Sequence, residues 1–209
     1  MKARIEGLYA LTPDLPDTAR LLALVEQALE GGARLVQYRS KSTDVALRHE
    51  QAAELVELCH RHGVPLIVND DIRLAALTDA DGVHLGRDDA PLSEARINLG
   101  PEKIVGVSAY CDLDRARQLA AAGADYVAFG SFFPSPTKPQ APLCPVARLA
   151  EAKRVLTVPV VAIGGITPDN AAALIDEGAD ALAVISALFD APDVRAAAAR
   201  FARLFATLH

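Results

Sequence analysis

Cysteine is scarce in this chain, and what there is sits apart: Cys59, Cys111 and Cys144 form no C-x-x-C pair and no Cys/His cluster. That spacing argues against a disulfide framework or a zinc site and for a reducing, cytoplasmic setting. Cys59, inside an apolar helical pattern, reads as core. Basic residues do not outnumber acidic ones: 21 Lys plus Arg against 27 Asp plus Glu leave a formal net charge of −6. The balance argues against nucleic-acid or anionic-membrane binding, which calls for a broad basic face, but permits a few cations at an anionic substrate. Long hydrophobic runs are missing too. The longest stretch without a charged residue, Val155 to Pro168, carries two prolines and two glycines and falls short of the roughly 20 apolar residues a spanning helix needs. The opening residues, Met1 to Gly7, hold no apolar segment of the secretory kind. No linker or shift of composition divides the 209 residues, so one domain over 1–209 is expected. A chain of that length buries a full core without staples.

What is present is alternation. Short, continuous apolar runs recur, such as Leu66-Ile67-Val68, Tyr126-Val127-Ala128-Phe129 and Leu182-Ala183-Val184-Ile185. Runs of this kind suit parallel strands buried on both faces. Between them lie helical stretches with recognisable ends: Gly31-Gly32 closing the first, Asp112 opening one that leaves at Gly123, and Thr167-Pro168-Asp169 opening another that leaves at Gly178. Strands are expected near 7–11, 34–39, 65–68, 82–85, 104–108, 125–129, 159–163 and 181–185. Every second one is preceded by a related short run of small or acidic residues: Gly32-Ala33, Asp81-Gly82, Gly123-Ala124-Asp125 and Gly178-Ala179-Asp180. Eight strands, each followed by a helix and repeating in βαβα quarters, predict a parallel (β/α)8 TIM barrel, with an open doubly wound sheet as the main rival.

In a barrel of this kind chemistry sits at the C-terminal ends of the strands, and the polar residues concentrate there. Strand two ends in Gln37-Tyr38-Arg39 with Lys41 beyond, strand three in Asn69-Asp70, and strand four in His84-Leu85-Gly86 followed by Asp88-Asp89. Strand five ends in Ser108, strand seven in Gly164-Gly165 and strand eight in Ser186. Asp70 and Asp89 follow neighbouring strands and could share a hard cation such as Mg2+. Against that, Asp70 or Asp71 could simply cap the next helix, and Asp88 could be a solvated turn residue. Gly164-Gly165 suits a phosphate approaching backbone N–H groups, or merely a tight turn. The long connection from Gly130 to Cys144 carries Ser135-Pro136-Thr137-Lys138, a phosphate clamp or else an ordinary surface loop. His84, within an apolar strand, reads as a hydrogen-bonded core histidine. No Ser/His/Asp or Cys/His nucleophile set stands out.

At these residues the chain resembles the thiamine-phosphate synthase family. The similarity runs in order through Gly7-Leu8-Tyr9-Ala10-Leu11-Thr12, Gln37-Tyr38-Arg39-Ser40-Lys41, Asn69-Asp70, Gly82-Val83-His84-Leu85-Gly86 with Asp88-Asp89, Gly106-Val107-Ser108, Phe133-Pro134-Ser135-Pro136-Thr137-Lys138, Ala162-Ile163-Gly164-Gly165-Ile166 and Val184-Ile185-Ser186. The resemblance implies a TIM-barrel transferase that joins hydroxymethylpyrimidine pyrophosphate to a thiazole phosphate. It implies Mg2+ held by Asp70 and Asp89, and pyrophosphate bound by Arg39, Lys41, Asn69 and Lys138. Gln37 and Ser108 would orient the pyrimidine, while Ser135, Thr137, Gly165, Ile185 and Ser186 would cradle the thiazole phosphate. Tyr38, Ser40 and Pro136 complete the matched stretches as substrate-binding positions, and Lys138, Ser108 and Arg39 are the expected catalytic residues. Two positions depart from the family pattern: Ser135 stands in place of the usual Thr, and Arg87 in place of Gln. A thiazole tautomerase is a close rival that needs neither metal nor pyrophosphate, hence no Arg39/Lys41/Asp70/Asp89 set. A non-catalytic phosphate-sensing barrel is a rival of another class. Assembly into a homo-oligomer stays open.

Overall fold

The computed structural model describes residues 3–135 and 140–206. Its strands are β1 (Gly7–Leu11), β2 (Ala33–Tyr38), β3 (Leu66–Asn69), β4 (Gly82–Leu85), β5 (Ile104–Tyr110), β6 (Tyr126–Phe129), β7 (Val160–Ile163) and β8 (Ala181–Val184). They pair in sequence order, all parallel, and β1 closes on β8, so the sheet is a complete barrel and the open-sheet rival is excluded. The helices are α1 (Thr18–Glu30), α2 (Val45–Arg61), α3 (Ile72–Leu77), α4 (Leu92–Leu99), α5 (Leu113–Ala121), α6 (Arg148–Val155), α7 (Ala171–Asp176), α8 (Ser186–Phe189) and α9 (Val194–Ala206). Among the described residues no helix is long and apolar enough to cross a membrane.

The continuous apolar runs are explained by two cores, one on each side of the sheet. Along β1, Leu8 and Ala10 join the layer between barrel and helices, while Tyr9 and Leu11 point inward with Leu35, Ile67, Ile104, Tyr126 and Val161. Both faces are buried, so both parities are mostly apolar. Helix starts follow the expected chemistry. Asp17, Asp44, Asp71 and Asp112 each accept the backbone N–H three residues on, at Arg20, Leu47, Leu74 and Arg115, satisfying donors that a helix end otherwise leaves unpaired.

The repeated strand starts have a structural cause. Leu66 donates its N–H to Asp81 Oδ2 and accepts the Asp81 N–H in return, at 2.8 and 2.9 Å. Val105 does the same with Asp125, at 2.7 and 2.8 Å, and Val160 with Asp180, also at 2.7 and 2.8 Å. Each carboxylate also meets a cationic or imidazole side chain from the helix before the clamped strand: His60 of α2, Arg96 of α4 and Lys153 of α6. In three of the four quarters the repeat in the sequence is therefore a clamp at the bottom of the barrel.

Three expectations need correction. Cys111 and Cys144 are paired in a disulfide, although their separation in sequence suggested none. They lie one βα unit apart, just after β5 and in the β6–α6 connection, so two neighbouring rim loops bring their Cα atoms to 5.4 Å. The helix after β7 begins at Ala171, not at Pro168. Asn170, not the Thr167 hydroxyl, organises the turn, its Oδ1 accepting Thr167 N–H and its Nδ2 donating to the Gly165 carbonyl. Finally, β5 runs on to Tyr110, with a register shift between Ser108 and Tyr110.

Candidate active site

A cavity of about 590 Å³ opens at the C-terminal ends of the strands. Gln37, Arg39, Asn69, Asp70, Asp89, Ser108, Ser135, Gly165, Ile185 and Ser186 all line it, drawn together from seven strands and their loops. Strand order divides this set. Arg39, Asn69, Asp70 and Asp89 end or follow β2, β3 and β4, whereas Ser135, Gly165, Ile185 and Ser186 follow β6, β7 and β8 across the barrel. Gln37 and Ser108 lie lower, on β2 and β5.

Other expected positions fall elsewhere. Tyr38 does not face the cavity: strand parity turns it outward, where it is 2% exposed and donates its hydroxyl to Gln51 on α2. Burial raises its pKa above the usual phenol value, which keeps it a donor. Lys41 lies outside the main cavity, its backbone N–H held by Asp14 Oδ1 at 3.0 Å. Ser40 lines a shallower neighbouring depression with Arg48 and Asn69. Pro136, Thr137 and Lys138 lie outside the described residues.

The choice between Asp70 and Asp71 is settled by the cap. Asp71 accepts Leu74 N–H and pairs with Arg48 at 2.5 Å, so it belongs to α3. Asp70 has φ of 65°, a left-handed conformation uncommon outside glycine. Its N–H donates to the His84 carbonyl and its Oδ2 accepts from Asn69 Nδ2 at 2.6 Å. Such conformations persist where surrounding structure imposes them, often at functional sites. Asp89 Oδ2 accepts Gly86 N–H at 2.6 Å, which orients the carboxylate. Among the described residues no three or more His, Cys, Asp or Glu side chains gather to hold a metal. Two carboxylates from adjacent strands nonetheless suit Mg2+, which typically takes one or two and completes its shell with water and phosphate oxygens.

Gly164 and Gly165 both have positive φ, 106° and 62°. A Cβ on Gly165 would lie 2.4 Å from the Pro134 carbonyl oxygen, and one on Gly164 would lie 1.9 Å from Ser131 Oγ. Their first duty is to let the β6–α6 connection cross the β7 loop closely.

Several residues at the site lie beyond the expected set. Tyr110 lines the cavity beside Arg87, the position that departs from the family pattern. Tyr110, with φ of 60°, sits under the Arg87 guanidinium at 4.9 Å. Thr12 ties β1 to β2, accepting Arg39 N–H at 2.9 Å. Tyr9 and Tyr126 meet inside the barrel, hydroxyl to hydroxyl at 2.8 Å. His84 is hydrogen-bonded, as expected, to Tyr126 Oη and Ser108 Oγ, both at 2.9 Å.

Closed barrel and rim cavity together define a (β/α)8 barrel with its candidate site at the usual face. The family model described as thiamine monophosphate synthase matches residues 8–188. The chain is 69% identical over 200 residues to the thiamine-phosphate synthase of Thiobacillus denitrificans, covering 96% of this chain and 95% of that protein. It is 55% identical over 201 residues to the one of Methylobacillus flagellatus, covering 96% of each. Among solved structures, a thiamine phosphate pyrophosphorylase from Pyrococcus furiosus superposes with a TM-score of 0.86 at 35% identity, covering 97% of this chain and 96% of that one. The chain belongs to the thiamine monophosphate synthase family.

Proposed function

We propose that this protein condenses hydroxymethylpyrimidine pyrophosphate with a thiazole phosphate to give thiamine phosphate and pyrophosphate, with Mg2+ held by Asp70 and Asp89. The observation that carries this reading is the division of one cavity into two polar ends. One end, after β2 to β4, offers two carboxylates with Arg39 and Asn69; the other, after β6 to β8, offers Ser135, Gly165 and Ser186. The first suits a metal-bound pyrophosphate and the second a single phosphate, with Gln37 and Ser108 between them for the pyrimidine ring.

Bound there, the cation would neutralise charge building on the departing pyrophosphate. Arg39 and Asn69 bind the same group, and Lys138 joins them on chemical grounds. Loss of pyrophosphate leaves a methylene cation stabilised by the pyrimidine amino group, and the thiazole nitrogen closes the new C–N bond. No side-chain nucleophile is required, only positioning and charge neutralisation. A thiazole tautomerase would have no use for Arg39, Asp70 and Asp89 together, and a sensor would turn nothing over. A cytoplasmic location suits a reaction of small phosphorylated metabolites. The Cys111–Cys144 disulfide argues the other way, and alkylation trapping in fresh extract decides between them.

The test is direct: purified protein, both precursors and Mg2+ should yield thiamine phosphate, and a chelator should stop it. Asp89→Ala should lower kcat about a hundred- to thousandfold, as removal of a transition-state electrostatic contact does, with the fold intact. No product from wild-type protein, or full activity of Asp70→Ala and Asp89→Ala at limiting Mg2+, would sink the assignment.

A further inference from the structure

The two residues placed at the pyrimidine ring are the ends of one hydrogen-bond chain through the barrel. Gln37 Nε2 donates to Tyr9 Oη at 2.8 Å, and Tyr9 Oη meets Tyr126 Oη at 2.8 Å. Tyr126 Oη meets His84 Nδ1 at 2.9 Å, and His84 Nε2 meets Ser108 Oγ at 2.9 Å. Five strands supply the five members. The packing leaves them little freedom. The Tyr9 and Tyr126 rings meet edge to face at 84°, and His84 stacks on Tyr126 at 21°. Gly106 makes room for this, since a Cβ there would lie 1.9 Å from Tyr126 Cζ.

Counting protons gives the chain a direction. Burial raises the pKa of both Tyr9 and Tyr126 above the usual phenol value, so each keeps one proton to donate. With the Gln37 amide donating into Tyr9, the Tyr9 proton goes to Tyr126 and the Tyr126 proton to His84 Nδ1. The imidazole proton then sits on Nε2 and is donated to Ser108 Oγ. Gln37 Oε1 remains as an acceptor and the Ser108 hydroxyl as a donor, both on residues that line the cavity.

From this geometry we infer that Tyr9, Tyr126 and His84 are positioning residues that lock the polarity of the pyrimidine site, Gln37 as acceptor and Ser108 as donor. The inference rests on the function proposed above. A ring with an amino N–H beside an unprotonated ring nitrogen matches that polarity. Its oxo counterpart, a carbonyl beside a ring N–H, presents the reverse and leaves Gln37 Oε1 and the Ser108 proton unmatched unless every member of the chain turns round. A site built on polar pairing rejects the mismatched analogue because its own groups are left unpaired.

The test uses Tyr126→Phe, which keeps the ring and removes the central link, and Tyr9→Phe as a second break. Two readouts are needed: the 15N shifts of His84 in ligand-free protein, and calorimetric affinity for the aminopyrimidine pyrophosphate and its oxo analogue. Wild type should show a single Nε2–H tautomer, and both variants a mixture. The amino-over-oxo preference should fall at least tenfold in the variants, while KM for the thiazole phosphate stays within twofold. A wild-type Nδ1–H tautomer, or an unchanged preference in both folded variants, would overturn the inference. The tautomer needs no turnover to be read. An Nε2–H signature in a wild-type protein that makes no thiamine phosphate would therefore sink the functional reading and leave the chain standing.

Discussion

Removing a strand clamp should destabilise the barrel by an amount that depends on which quarter is cut. In Asp125→Ala the Val105 N–H loses its acceptor and Arg96 its carboxylate partner at 2.5 Å. A buried donor left unpaired costs about 1–3 kcal/mol, and a partly exposed ion pair adds roughly 0–1 kcal/mol. The Asp125 and Arg96 side chains are only 19% and 22% exposed, so the upper half of that range, about 2–4 kcal/mol, applies there. Asp180 and Lys153 are more open at 31% and 37%, and Asp81 has only half-exposed His60 opposite it. The expected order of loss is Asp125→Ala, then Asp180→Ala, then Asp81→Ala. At about 2–4 °C per kcal/mol for a chain of this size, the first should lower Tm by roughly 5–15 °C. Asn variants keep an acceptor oxygen for the strand N–H and should recover more than half of each loss. Urea unfolding at neutral pH with matched thermal scans measures all six. Equal losses for Ala and Asn at each site would refute the reasoning, because the strand N–H would then not be what the carboxylate serves. So would a loss below about 0.5 kcal/mol at Asp125, the range of an ordinary surface substitution.

Cutting the disulfide with Cys111→Ser should cost about 3–4 kcal/mol, from the loop-entropy relation applied to a sequence separation of 33. Thiol titration of denatured, unreduced protein should find Cys59 alone, and three thiols there would show the bond absent. Stability should also fall in alkali. Burial pushes the Cys59 thiol up to about 12, so the folded state keeps a proton that the unfolded chain releases above pH 9. The loss should run at about 1.4 kcal/mol per pH unit, steepening above about 10 as Tyr9 and Tyr126 contribute in the same direction. Cys59→Ala should flatten the segment between pH 9 and 10, and an unchanged slope would contradict the assignment. Gly165→Ala should destabilise by about 2 kcal/mol or more, from its left-handed φ and the nearby Pro134 carbonyl. An unaltered Tm would show that the crossing loop yields easily.

The barrel was readable in the sequence because burial on both faces erases alternation: eight continuous apolar runs with capped helices between them admit few other arrangements. The rim was readable for a related reason, since polar residues at the ends of such runs have no core to enter. The cues failed where the outcome depends on strand parity or on a partner far along the chain. Tyr38 lies between two cavity-lining residues yet faces α2, because neighbouring side chains on a strand point to opposite faces. Asp70 and Asp71 are interchangeable as caps in the sequence, and only the Leu74 N–H on Asp71 separates them. Cysteine spacing along the chain is a poor guide to pairing in a barrel. Residues 33 apart in this βα repeat fall on adjacent rim loops, which is where a barrel can join them.

Gly106 is the signal that could have revealed the interior chain. A glycine within an apolar strand weakens it and often marks a close approach by another group, and here that group is the Tyr126 ring. A buried tyrosine must in turn find a partner for its hydroxyl, and few inward-facing positions in the barrel carry one, among them Tyr9, Gln37, His84 and Ser108 on β1, β2, β4 and β5. Strand parity from any one of them would have placed the others on the inside, at the height where the core gives way to the cavity. What pairing rules could not supply is direction. That depends on the Gln37 amide orientation and the His84 tautomer, two choices that are fixed together because each phenol has one proton to give.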